Sequence, residues 1–137
     1  MSNDPQCARF YRAERDVLNH VPQRQFRNLD AVVRFVARVI KSDWYTGPPY
    51  VVVEERHQDA PAADSLVDQG VGHIRLPRWA WNKVSVLHEL AHLCSWRGQD
   101  HGPAFARRVV EAHELFGTRA TFDAYVEAFK WRGVRTR

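Results

Sequence analysis

The sequence predicts an α+β fold in which a small antiparallel or mixed sheet is flanked by helices. Three observations predict it. Several long segments repeat apolar residues at spacings of three and four, the period of a helix with one buried face. Two short runs, Tyr50–Glu54 and Gly72–Pro77, are rich in β-branched residues and bounded by Gly and Pro, as strands are. The chain has 137 residues, 45% of them hydrophobic, enough for one domain with its own core.

In chain order, residues 4–18 are expected to form a helix with Cys7, Tyr11, Glu14 and Leu18 on one face and Phe10 and Val17 beside it. Val21-Pro22 ends it. Asn28 can cap a second helix, whose Leu29, Val32, Val33, Val36, Val39 and Ile40 form an apolar stripe with Arg34, Arg38 and Lys41 outside it. Gly47-Pro48-Pro49 turns the chain into the first strand, Tyr50–Glu54, the strongest strand signal in the sequence. Residues 57–70 are polar with Pro and Gly and read as a mobile loop. The second strand, 72–77, alternates sides and is closed by Pro77. Trp79 and Trp81 lead into a helix capped by Asn82 and stopped by Gly98. A further helix starts at Pro103, carries Phe105, Val109, Ala112 and Phe116 inward and ends at Gly117. A last helix, capped by Thr118 or Thr121, turns Phe122, Tyr125, Val126 and Phe129 inward. Residues 1–3 and 132–137 are expected to fray. No second domain or internal repeat is expected.

The helix after Asn82 contains His88-Glu89-Leu90-Ala91-His92. Histidines four residues apart lie on one helix face, one turn apart, so both imidazoles can reach one Zn²⁺. Glu89 leaves the helix about 100° away, beside such a metal rather than on it, where a general base is needed. A catalytic zinc takes three protein ligands and keeps one position open. His101 is the favoured third ligand, because the chain can turn back after the helix and the helix from Pro103 would hold it. Glu111, on that next helix, is the alternative. Asp100 is expected either to support His101 or to cap the turn. His20, His57 and His113 are given no role.

The base composition is nearly all arginine, and the net charge is +4 with a pI near 9.4. That admits DNA as a partner, although the arginines are scattered along helix faces. Cys7 and Cys94 make no disulfide framework, and Cys94 is expected in the core. With no 18-residue apolar run and no signal-peptide core, no membrane association is expected and a cytoplasmic setting is.

His88-Glu89-Leu90-Ala91-His92 followed, after eight residues, by His101-Gly102-Pro103-Ala104-Phe105 resembles the compact zinc metallopeptidases of the SprT-like and WLM kind. The stretch Ile74–Pro77 through Trp79, together with Asp4-Pro5-Gln6, Tyr11, Glu14 and the region of Phe129, Gly133 and Val134, is similar to a family of small actinobacterial metallohydrolases marked by the H-E-x-x-H motif. The resemblance implies a zincin-like (minigluzincin-type) fold and a zinc on His88, His92 and His101. The metzincin spacing, five residues between second and third histidine, is absent.

These readings give a zinc-dependent hydrolase with a peptide or protein substrate, in which Glu89 takes a proton from water and passes it to the leaving amine. Strand 72–77 is expected at the sheet edge, where an extended peptide could add to it. His73, Arg75, Tyr50 and Tyr45 are the candidates for contacting substrate or an oxyanion. Two alternatives stay open: hydrolysis of a non-peptide amide on the same site, and a basic module binding nucleic acid or protein with a non-catalytic zinc.

Overall fold

A computed structural model describes residues 4–95 and 100–137, and among these described residues are five α-helices, three strands and one short 3-10 turn, Arg78–Ala80. The expected stop at Gly98 lies outside the described residues, as do residues 1–3. The elements fall into two compact units, residues 24–97 and residues 1–23 with 98–137.

The unit of residues 24–97 holds helix α2 (Leu29–Ile40), strands β1 (Tyr50–Glu55), β2 (Asp64–Asp68) and β3 (Val71–Leu76), and helix α3 (Lys83–Cys94). Asn28 caps α2 by accepting from the Ala31 amide, and Asn82 caps α3 by accepting from Ser85, both at 2.9 Å. The stripe of α2 is Val32, Phe35, Val36 and Val39, whereas Val33 is exposed. Phe35 takes the place expected for Val33 because positions 32, 35, 36 and 39 follow the helical period more closely than 32, 33 and 36.

The sheet is mixed, in the order β1-β3-β2, with β3 parallel to β1 and antiparallel to β2. This corrects two expectations. Residues 57–70 are not all loop: Asp64–Asp68 pairs with β3 through a tight turn at Gln69 and Gly70, both at positive φ. Such a turn matches the twist of an antiparallel pair. Strand 72–77 is therefore not the sheet edge but its centre, and the edges are β1 and β2.

Alternation along β3 buries Gly72, Ile74 and Leu76 on the face that meets α3 and leaves Val71, His73 and Arg75 on the other. Gly72 allows close approach, since a Cβ there would sit 3.0 Å from Leu93 of α3. Helix α3 is buried nearly all round, from Val84 through Leu93. Trp81 packs into this unit with its indole donating to the Leu76 carbonyl, while Trp79 is half exposed and donates to Ala60. Cys94 is only partly buried and accepts from the Thr46 amide at 3.5 Å.

The other unit holds α1 (Cys7–His20), α4 (Pro103–Phe116) and α5 (Arg119–Arg132). Both α1 and α4 pack on α5. The inward residues of α1 are Phe10, Ala13 and Val17; Tyr11 and Leu18 are exposed, so the expected face is rotated by about one position. Phe10 packs against Phe105 and Phe129 at ring separations of 5.2 and 5.6 Å. Pro103 opens α4, Thr118 caps α5, and Gly133 ends α5 in the left-handed conformation. In α5 the buried residues are Thr121, Tyr125, Ala128 and Phe129, with Phe122 and Val126 half-buried. The expected fraying at 132–137 does not hold throughout. Val134 is buried, the Arg135 amide donates to Gln6 Oε1, and Gln6 donates back to the Arg135 carbonyl.

Among the described residues no helix is long and apolar enough to cross a membrane.

Candidate metal centre

Helix α3 brings His88 and His92 onto one face, as the four-residue spacing requires. Their Nε2 atoms are 3.2 Å apart. Two nitrogens each about 2.05 Å from a tetrahedral zinc would be about 3.3 Å apart. The pair thus already has the spacing that the metal demands. Both rings are buried, unlike those of two histidines on a surface helix face.

Glu89 is also buried, at 6% exposure. Its Oε1 accepts a hydrogen bond of 2.9 Å from the Ser65 hydroxyl. The register explains the contact. Ser65 is paired with Ile74, so both project from the sheet face that α3 covers. Ser65 is not among the expected site residues, because residues 57–70 have the composition of a loop. The available signal was Ser65-Leu66-Val67 ahead of Gln69-Gly70, a short strand before a turn.

The proposed substrate contacts do not gather beside α3. His73 and Arg75 project from the opposite sheet face, and each is engaged there. His73 Nδ1 meets Glu54 at 3.2 Å, and Arg75 grips both carboxylate oxygens of Asp64, which holds its guanidinium pKa above the ordinary value. Tyr50 is largely exposed at the start of β1. Tyr45 is buried and donates to the Pro48 carbonyl at 2.6 Å; burial pushes its hydroxyl well above its ordinary pKa, and so it stays a proton donor to that carbonyl. An oxyanion donor is not identified among these four.

In the other unit, His101 is buried just before α4, and its Nδ1 meets Asp4 Oδ2 at 2.7 Å. Asp4, not Asp100, is the carboxylate at this ring; Asp100 Oδ1 accepts from the Gly102 amide and acts as the turn cap. Cys7 lies near both, its ligand atom within 4.8 Å of those of Asp4 and His101. Burial first, and the Asp4 carboxylate second, raise the Cys7 thiol pKa. Glu111 is exposed on α4. His113, given no role from sequence, is buried and stacks on Tyr125 at 4.7 Å, while Tyr125 donates to Glu14 at 2.9 Å. His20 and His57 are exposed, as expected.

His88 and His92 in one unit, and His101 in the other, are each buried and each offer an imidazole nitrogen. Comparison of the chain with protein-family models, with curated proteins and with solved structures gives no match.

Proposed function

We propose that this protein is a zinc-dependent hydrolase, acting on peptide bonds, whose metal is held by His88, His92 and His101 and whose general base is Glu89. The observation that carries the reading is the pair of buried imidazoles 3.2 Å apart on one helix turn, with a buried carboxylate on the next residue. A structural zinc has no use for that carboxylate and usually takes four protein ligands that include Cys.

His101 is preferred to Glu111 on three grounds. It is buried where Glu111 is exposed. Its Nδ1 is committed to a carboxylate, so Nε2 is the nitrogen for a cation. The six residues from Ser95 to His101 span about 20 Å when extended, ample for the chain to return to the level of His92.

Zinc in such a site acts as a Lewis acid toward a carbonyl and lowers the pKa of water. Glu89 accepts the proton of the attacking water and returns it to the departing amine. Ser65 donates to one oxygen of Glu89 and so orients the carboxylate. His88 and His92 hold their geometry through the rigid helix, so little reorganisation accompanies the reaction. Because β2 is an edge strand and carries Ser65, an extended peptide pairing with β2 would run beside Glu89; this replaces the expected role of strand 72–77.

The test is Glu89→Gln, assayed on a panel of denatured proteins and peptides. Zinc content should stay at the wild-type level while hydrolysis falls by about two to four powers of ten. Equal turnover by both proteins would exclude Glu89 as the base. Binding without cleavage, equal in both, would favour a binding module or another amide as substrate.

A further inference from the structure

We infer that residues 4–6 set the third metal ligand, with Asp4 fixing the ring of His101 and Gln6 fixing its main chain. The inference rests on the zinc reading above and adds a positioning device outside the three histidines.

The contacts that define it lie within one unit. Asp4 Oδ2 is 2.7 Å from His101 Nδ1, a short distance for an N–H···O bond. The two side chains are only 11% and 12% exposed, so water competes weakly for either. Gln6 Nε2 donates to the His101 carbonyl at 2.9 Å, and Gln6 itself is 2% exposed. Its Oε1 accepts from the Arg135 amide at 3.0 Å, which ties the same segment to the chain beyond α5. The imidazole packs against Tyr11 at 4.8 Å and edge-on against Phe105 at 5.1 Å.

A ring held this way has its tautomer chosen. With the proton on Nδ1 facing Asp4, Nε2 presents a lone pair, which is the form a cation binds. Without Asp4 the proton is free to sit on Nε2, and the ring must reorganise before it can bind metal. Asp4 is therefore a positioning residue, acting through His101 from a place 97 residues away in sequence.

The test combines zinc affinity, by chelator competition, with imidazole nitrogen NMR of the metal-free protein, in wild type, Asp4→Asn, Asp4→Ala and Gln6→Ala. In wild type the His101 proton should sit on Nδ1. Asp4→Ala should move it toward Nε2 and raise the zinc Kd about 10–100-fold. Asp4→Asn, whose amide oxygen can still accept from Nδ1, should fall between, and carries the comparison if the alanine variant does not fold. Gln6→Ala should weaken zinc less and leave the tautomer unchanged. A wild-type proton on Nε2, or wild-type zinc affinity in both Asp4 variants, would overturn the inference. Should the wild type bind no zinc at all, the zinc reading fails separately, and the NMR still decides whether Asp4 sets the ring.

Discussion

Ser65→Ala removes one oxygen and adds no bulk, so its effect reports on the bond to Glu89. A hydrogen bond to a charged group contributes about 1.5–3 kcal/mol. Glu89 is buried, but Ser65 is only half-buried on an edge strand, so water replaces part of what is lost. The expected cost is about 1–2 kcal/mol, toward the low end of that range. With a urea slope of about 2 kcal/mol/M, the unfolding midpoint of metal-free protein should fall by about 0.5–1 M with an unchanged slope. Ser65→Thr keeps the hydroxyl and suits a strand, so it should stay within about 0.5 kcal/mol of wild type. A midpoint in Ser65→Ala equal to wild type, or an equal loss in both variants, would refute the claim that this hydroxyl holds Glu89.

Gly47→Ala would put a methyl 2.6 Å from the Tyr45 hydroxyl and 2.8 Å from the Leu93 carbonyl, a rigid neighbour at the end of α3. It should destabilise by about 1–3 kcal/mol, read from urea unfolding. Arg132 holds the Asp16 carboxyl below its ordinary pKa, so this pair adds stability above that ordinary value and loses it as pH falls through the lowered one. Asp16→Asn should therefore melt below wild type at about pH 7, with the two melting temperatures converging in strong acid. Glu111→Gln should leave zinc affinity unchanged, because Glu111 is exposed; a large loss would move the third ligand from His101 to α4.

Local signals carried much of the fold. Asn28, Asn82, Pro103 and Thr118 mark helix starts through side-chain chemistry that acts within a few residues, and each stands where expected. The spacing of His88 and His92 works in the same way, since helix geometry alone brings them together. What failed depended on partners distant in sequence. β2 is short and half polar, and it becomes a strand by pairing with β3. The order β1-β3-β2 cannot be read from strand strength: β1 has the strongest signal yet lies at the edge. The inward face of α1 was misplaced because Tyr11 and Leu18 are apolar enough to suggest burial, while Ala13 is small enough to be overlooked. Asp4 and Ser65, the partners of His101 and Glu89, come from an N-terminal turn and an edge strand that no spacing rule connects to the motif.

The central claim is an open zinc site made of three imidazoles, and zinc X-ray absorption on the metal-loaded wild type tests it most directly. The account predicts one zinc per chain, with three imidazole nitrogens at about 2.0–2.1 Å and one further oxygen. His88→Ala or His92→Ala should abolish that signature. A sulfur at about 2.3 Å, a fourth protein ligand, or the same spectrum in both variants would contradict it.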